Sequence, residues 1–137
     1  GVFMVGVVIV THGNFSKEIL KSAELIVGKQ GKVIALTLNY GDSVEDLREE
    51  VKKSILKLDD GNGVMVLTDV IGGSPSNVTC YNIETLEFRA ITGVNMPMLL
   101  ELFCYRNELE LNELTEKVII AGKEGIKDLH GSLGIQL

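Results

Sequence analysis

The 137-residue sequence has no tryptophan, only two cysteines, two histidines and two prolines, and an aromatic content of 5%. It is also short of basic residues: 19 Asp and Glu outnumber 13 Lys and Arg, which gives a formal net charge of −6. Proteins that bind nucleic acid present a basic face to the phosphates, so this composition argues against that class. A macromolecular partner is instead expected to present a basic or mixed surface.

The two cysteines, Cys80 and Cys104, show no CxxC spacing and have no histidine close to them in sequence. This pattern favours free thiols, which we expect to be buried within helices in a reducing cytoplasm. The apolar start of the chain, residues 2–10, is too short and glycine-interrupted to span a membrane, and it lacks the marks of a signal peptide. We therefore expect a cytoplasmic protein with no direct membrane insertion, folded as a single domain over residues 1–137.

Apolar runs alternate with helical patterns over the first hundred residues. Strands are predicted at 5–10, 33–38, 64–68 and 88–92, and the predicted N-caps of the principal helices are Asn14, Asp42, Ser74 and Asn112. Strand–helix alternation is typical of βαβ units joined by right-handed crossovers. The sequence thus predicts a flavodoxin-like, doubly wound α/β domain, with a mainly parallel sheet and helices on both faces.

Two reactive side chains follow the first and third predicted strands. His12 comes directly after the run 8–11, and Asp69 comes directly after Thr68. In the common strand order 2-1-3-4 these strands are neighbours, and ligands bind at the carboxyl ends of such strands. An aspartate that accepts a hydrogen bond from one imidazole nitrogen fixes the tautomer and leaves the other nitrogen a lone pair. The pair therefore predicts a histidine nucleophile oriented by an aspartate.

The segment Gly72-Gly73-Ser74-Pro75 supplies the features of a phosphate site. Glycines let the backbone approach a ligand, and the first N–H groups of a helix are unpaired and partly positive. The sequence therefore indicates phosphoryl transfer to and from histidine, with Thr11 and Gly13 beside His12 as further phosphate-binding candidates. One histidine and one aspartate are too few ligands to hold zinc well, and no metal or cofactor is expected.

Each of these features also has a purely structural explanation. A lone histidine at a strand end is often a hydrogen-bonded loop residue, an aspartate can cap a helix, and a Gly-Gly-Ser-Pro segment is an ordinary junction between a loop and a helix. Their joint placement favours function. His130 lacks such neighbours and is predicted to be a surface residue.

Three motifs together resemble one family. Residues 11–13 (Thr-His-Gly), 68–75 (Thr-Asp-Val-Ile-Gly-Gly-Ser-Pro) and 93–99 (Gly-Val-Asn-Met-Pro-Met-Leu) resemble the IIA domain of the mannose/fructose/sorbose family of the bacterial phosphoenolpyruvate-dependent sugar phosphotransferase system (PTS). The similarity extends over about residues 4–130, and it is the set of motifs rather than any single one that is specific.

The resemblance implies that His12 is phosphorylated on Nε2 and that Asp69 holds its other ring nitrogen, while Gly73 and Ser74 cradle the phosphate. It further implies that the phosphoryl group arrives from the histidine-containing phosphocarrier protein and leaves to a IIB component. IIB then phosphorylates the sugar that enters through the IIC and IID membrane proteins. The family forms homodimers with an exchanged strand, for which residues 132–137 are the candidate, as an antiparallel edge strand.

One residue departs from the family pattern. Val70 stands where the family often has threonine, so a hydroxyl that the family contributes there must be replaced by Ser74, Thr11 or backbone groups, or be dispensable.

Three other functions remain open on the sequence. The chain could be the phosphotransfer subunit of a dihydroxyacetone kinase, although the glycine-containing motifs fit the sugar family better. It could be a regulatory IIA-like domain, although such domains normally lie within longer chains. A flavin-binding module fits the fold, but the scarcity of aromatic residues leaves no pair to sandwich the ring.

Overall fold

The computed structural model describes residues 3–135. Its elements, in chain order, are β1 (Gly6–His12), α1 (Phe15–Val27), β2 (Val33–Leu38), α2 (Val44–Leu58), β3 (Val64–Thr68), α3 (Ser74–Ile83), β4 (Arg89–Ile91), α4 (Met96–Tyr105), α5 (Leu111–Glu124) and α6 (Leu129–Ser132). The strands of the described chain form one sheet in the order β2-β1-β3-β4, and every neighbouring pair is parallel. The predicted doubly wound, flavodoxin-like architecture is confirmed.

The two central strands bury both faces, because helices cover each side of the sheet. One core packs α1, α4 and α5 against alternate residues of β1 and β3, including Val7, Ile9 and Leu67. The other packs α2 and α3 against the intervening residues, including Val8 and Val66. A strand covered on both sides must be apolar at every position, which explains the continuous runs in the sequence. No helix in the described range is both long and apolar enough to cross a membrane.

The first strand extends further than predicted and reaches His12, which pairs with Leu38 of β2. Its side chain thus projects from the last residue of an ordered strand. The fourth strand is shorter than the predicted 88–92.

Several helix starts differ from the predicted caps. Ser43, not Asp42, caps α2 by accepting from the Asp46 N–H at 3.2 Å. Asp42 instead accepts from the Asn39 N–H in the preceding turn. The last long helix begins at Leu111, so Asn112 lies inside it.

Two glycines, Gly122 and Gly125, lie in the last turn and at the C-cap of α5, although glycine disfavours helix. A Cβ at Gly122 would lie 2.6 Å from Cγ of Met98, and one at Gly125 would overlap Pro97. The glycines are therefore required by the close approach of α4, and this tertiary contact offsets their poor helix propensity.

The cysteines and the tail also depart from expectation. Cys80 and Cys104 are free but exposed, because each lies off the buried stripe of its helix, so the prediction of buried thiols was wrong. In the tail, Leu129–Ser132 forms a helical turn, so Ser132 of the predicted strand 132–137 is helical, and residues 133–135 are not in a strand. Residues 136 and 137 of the predicted exchanged strand lie outside the described residues.

A buried arginine holds together the segments at the amino ends of the strands. Arg106 directly follows α4 and is fully buried, which is unusual for an arginine. Its guanidinium donates to the carbonyl oxygens of Val5, Gly31 and Lys32 at 2.8–3.0 Å, and to the side-chain oxygen of Gln30. Burial lowers the pKa of Arg106 to about 10, which leaves it charged at neutral pH. The segments before β1 and β2 are thereby fastened to the end of α4.

We expect Arg106→Ala to lower the free energy of unfolding by about 3 kcal/mol or more, because it removes the hydrogen bonds of the guanidinium, including both of those to the buried Val5 carbonyl, and leaves a cavity. Arg106→Lys should also destabilise, since one ammonium cannot reproduce the planar fork of donors. Urea denaturation measures both changes. The matched control is exposed Arg89→Lys, which should change stability by roughly 0.5 kcal/mol or less. An Arg106→Ala midpoint equal to that of the control would contradict the assignment.

Candidate active site

The adjacency of β1 and β3 brings His12 and Asp69 together. The two strands pair as far as Val10 and Thr68. Asp69 follows Thr68 directly, and His12 lies two residues after Val10. Oδ2 of Asp69 accepts two hydrogen bonds from His12, one from the backbone N–H at 2.9 Å and one from Nδ1 at 2.8 Å. The predicted pairing of these side chains at neighbouring strand ends is confirmed as geometry.

This geometry selects the tautomer of the neutral imidazole. A carboxylate only accepts, so Nδ1 carries the proton and Nε2 of the neutral ring carries the lone pair. The His12 side chain is 50% exposed, whereas that of Asp69 is 14% exposed. Asp69 therefore holds the ring through Nδ1, while the exposed part of the ring remains accessible to an approaching group.

The carboxyl of Asp69 is kept ionised by its contacts. Partial burial raises its pKa, but the hydrogen bonds from the backbone and side chain of His12 and the attraction of the imidazole outweigh that effect. The pKa of Asp69 is consequently lowered from its ordinary value of 3.8. Its other oxygen, Oδ1, accepts from the Val70 N–H at 3.0 Å.

A tight turn over residues 70–73 lies against the imidazole. The N–H of Gly73 donates to the Val70 carbonyl at 3.4 Å, and Gly72 has φ +82°, so glycine suits the third position of this turn. A Cβ at Gly73 would lie 2.7 Å from Cε1 of His12 and 3.4 Å from Nε2. Here glycine is required for the close approach of backbone to ring.

The turn leads directly into α3. Gly73 is the N-cap, Ser74 the first helical residue and Pro75 the second, so the predicted cap is displaced by one residue. The N–H groups at the start of a helix have no acceptor within it and carry partial positive charge. Gly73 thus lies against His12 at the N-terminal end of a helix, which favours anions, and Ser74 is the next residue of that helix.

Thr11 and Gly13 occupy less direct positions than predicted. Thr11 is fully buried, and its hydroxyl accepts from the Ser16 N–H at 2.8 Å. It therefore caps α1, a role predicted for Asn14, whose side chain makes no capping bond. The Gly13 N–H donates to the Leu38 carbonyl at 2.8 Å, and its φ of +56° turns the chain out of β1. The Gly13 N–H is thus already engaged and the Thr11 hydroxyl is buried, and both residues shape the loop that carries His12.

Sequence reasoning missed Ser76. Its hydroxyl donates to the Val70 carbonyl at 2.6 Å and lies within hydrogen-bond distance of the hydroxyls of Thr68 and Thr92. A serine two positions into a helix is common, so only the fold reveals its position under the turn. His130 lies on α6 with its side chain 51% exposed, as the sequence predicted.

Two cavities of the described structure lie away from His12 and Asp69. Cavities of about 430 and 480 Å³ lie at the opposite edge of the sheet, around the loop that contains Gly61 and Gly63, and His12 lines neither. Among residues 3–135 no group of three or more His, Cys, Asp or Glu side chains is placed to hold a metal ion.

The fold and site define a doubly wound α/β domain that presents an aspartate-oriented histidine beside a helix N-terminus. Residues 6–119 match the family described as "PTS system fructose IIA component". The chain therefore belongs to the family of PTS IIA components.

Individual relatives agree with this assignment. The chain is 35% identical over 127 residues to the PTS system mannose-specific EIIAB component of Escherichia coli, covering 91% of this chain but only 39% of that protein. It is 30% identical over 112 residues to the PTS system fructose-specific EIIA component of Bacillus subtilis, covering 81% of this chain and 77% of the relative. The crystal structure of phosphotransferase system component EIIA from Streptococcus agalactiae superposes with a TM-score of 0.85 at 34% identity, over 93% of this chain and 99% of that one.

The contact between Gly73 and the imidazole predicts the effect of Gly73→Ala. The added methyl group must displace either the ring or the turn, because Cε1 of His12 already occupies its place. We expect the ring resonances of His12 to shift in NMR spectra, with loss of the Nδ1 hydrogen bond. Gly31→Ala is the matched control, since its Cβ meets nothing within 4 Å and its φ is not in the left-handed region. Identical His12 resonances in Gly73→Ala and the wild type would contradict the contact.

The lowered pKa of Asp69 predicts a pH-dependent contribution to stability. A carboxyl whose pKa is depressed by folding stabilises the native state above its ordinary pKa of 3.8, and this contribution is lost as the pH falls through the folded-state value. The wild type should therefore be more stable than Asp69→Asn above about pH 5, and the difference should shrink below about pH 4. Urea denaturation at several pH values measures this. A difference that stays constant down to acid pH would exclude the linkage.

Proposed function

We propose that this chain is a phosphocarrier of bacterial sugar uptake and that Nε2 of His12 carries the phosphoryl group. The donor would be the histidine-containing phosphocarrier protein, and the acceptor a IIB component that phosphorylates sugar during transport through IIC and IID. The observation that carries the proposal is the hydrogen bond between Nδ1 of His12 and Asp69, on a ring that is half exposed. It leaves Nε2 as the nucleophilic nitrogen.

The transfer balances without any added group. The lone pair of Nε2 forms a bond to phosphorus while the bond from phosphorus to the donor's imidazole breaks, and the donor ring keeps that electron pair. The proton on Nδ1 stays in place, and Asp69 stabilises the positive charge that develops on the ring. Passage to the IIB component repeats the step in the opposite sense, with the acceptor as the nucleophile.

The first turn of α3 would stabilise the moving phosphoryl group. Backbone N–H groups and the hydroxyl of Ser74 are suited to a phosphoryl group whose oxygens are negatively charged. Val70 brings no hydroxyl, and its N–H is already used by Oδ1 of Asp69, so the role of the family's hydroxyl falls to Ser74 or is dispensable.

The exposure of the ring suits a macromolecular donor. His12 lines neither of the two cavities described above, and its side chain is half exposed. A phosphoryl group carried by another protein can therefore reach it directly. Operation as a homodimer and a cytoplasmic location complete the proposal, with the family as their support.

The phosphocarrier proposal predicts a single phosphorylated histidine. After incubation with phosphoenolpyruvate, Enzyme I and the histidine phosphocarrier protein, intact-mass spectrometry should show one acid-labile gain of about 80 Da. His12→Ala should show none, while Asp69→Asn should be labelled more slowly because the tautomer is no longer fixed.

His130→Ala is the matched control, because His130 is exposed to a similar extent and lies next to a carboxylate at 3.7 Å. It should be labelled like the wild type. Labelling that persists in His12→Ala and disappears in His130→Ala would transfer the role to the other histidine.

A further inference from the structure

Three hydroxyl groups meet beneath the turn that contacts His12. Ser76 Oγ lies 2.6 Å from the Val70 carbonyl oxygen, 2.7 Å from Thr68 Oγ1 and 3.1 Å from Thr92 Oγ1. Ser76 and Thr68 are almost fully buried. The cluster joins the end of β3, the first turn of α3 and the segment that follows β4.

The chemistry of these groups fixes the direction of every bond. A carbonyl oxygen only accepts, so the single hydroxyl proton of Ser76 points to Val70. The hydroxyls of Thr68 and Thr92 must then donate to the two lone pairs of Ser76 Oγ. The serine is thereby saturated, with one bond donated and two accepted, and its hydroxyl cannot rotate without breaking bonds in a buried site.

The carbonyl that Ser76 holds belongs to Val70, the first residue of the turn. Val70 O also accepts the long 3.4 Å bond from the Gly73 N–H, which closes the turn. The 2.6 Å bond from Ser76 is the shorter of the two and connects the turn to the interior. Because Gly73 lies against the ring, a shift of the turn changes the space around Nε2.

We propose that Ser76 is a positioning residue for phosphoryl transfer. Through the Val70 carbonyl it holds the turn at the distance from His12 that lets the first N–H groups of α3 reach the phosphoryl group. Thr68 and Thr92 orient its hydroxyl. The inference rests on the proposed phosphocarrier function, but the anchoring itself is a property of the unphosphorylated protein and can be measured separately.

The kinetic test uses Ser76→Ala and Ser76→Thr. With the phosphorylated histidine phosphocarrier protein as donor, the single-turnover rate constant at saturating donor should fall about tenfold or more in Ser76→Ala, since small misplacements of reacting groups have large effects. The KM for the donor should stay unchanged, because Ser76 is buried. Ser76→Thr keeps the hydroxyl and should recover most of the rate.

The control is Thr115→Val on α5. Thr115 is also buried and donates to a backbone carbonyl, that of Leu111, at 2.7 Å. It is expected to lower thermal stability without changing the rate constant. A Ser76→Ala rate constant within twofold of the wild type would overturn the proposal, as would a loss that Ser76→Thr fails to recover.

A spectroscopic measurement separates this inference from the proposed function. In the unphosphorylated protein, Ser76→Ala should shift the amide resonance of Gly73 and the ring resonances of His12, whereas Thr115→Val should leave both in place. If the wild type accepts no phosphoryl group, the phosphocarrier proposal fails, and these resonances still test the anchoring. Unchanged resonances in Ser76→Ala would overturn the positioning role whatever the kinetics.

Discussion

The site depends on the parallel pairing of β1 with β3 and on where that pairing stops. At the start of the pairing, the Gly6 N–H donates to the Gly63 carbonyl. In a parallel ladder this bond recurs at every second residue, so six residues further on the His12 N–H faces the position of the residue 69 carbonyl. There the third strand has ended, and the side-chain carboxylate of Asp69 replaces the missing strand carbonyl. One oxygen thus completes the sheet and orients the imidazole. A register slip of one residue would turn His12 away from it.

Much of this was predictable from local sequence. Continuous apolar runs identify strands covered on both faces, and reactive residues directly after two of them predict a shared edge once the strand order is assumed. Sequence also located the glycine turn. The exact helix caps escaped prediction because several residues of each junction can cap. Thr11 caps α1 in place of Asn14, and Ser43 caps α2 in place of Asp42.

The remaining features that the sequence did not predict depend on tertiary contacts. Gly122 weakens a helix in isolation, and its reason is the approach of Met98 from another element. Ser76 and Arg106 look like ordinary polar residues, and their importance comes from partners that are distant along the chain. Hydrogen bonds of this kind leave no periodic pattern in the sequence. They are visible only when the backbone carbonyl groups are in place.

Arg106 also has a consequence for how the protein is made. A chain leaving the ribosome exposes the start of β1 first, but the buried carbonyl of Val5 finds its cationic partner only after residue 106 has been synthesised. The three βα units that precede α4 therefore emerge before Arg106 can bind the segments at the amino ends of their strands. The segment before β1 must therefore wait for the end of α4, so the first strand of the domain is secured by a residue made about a hundred positions later.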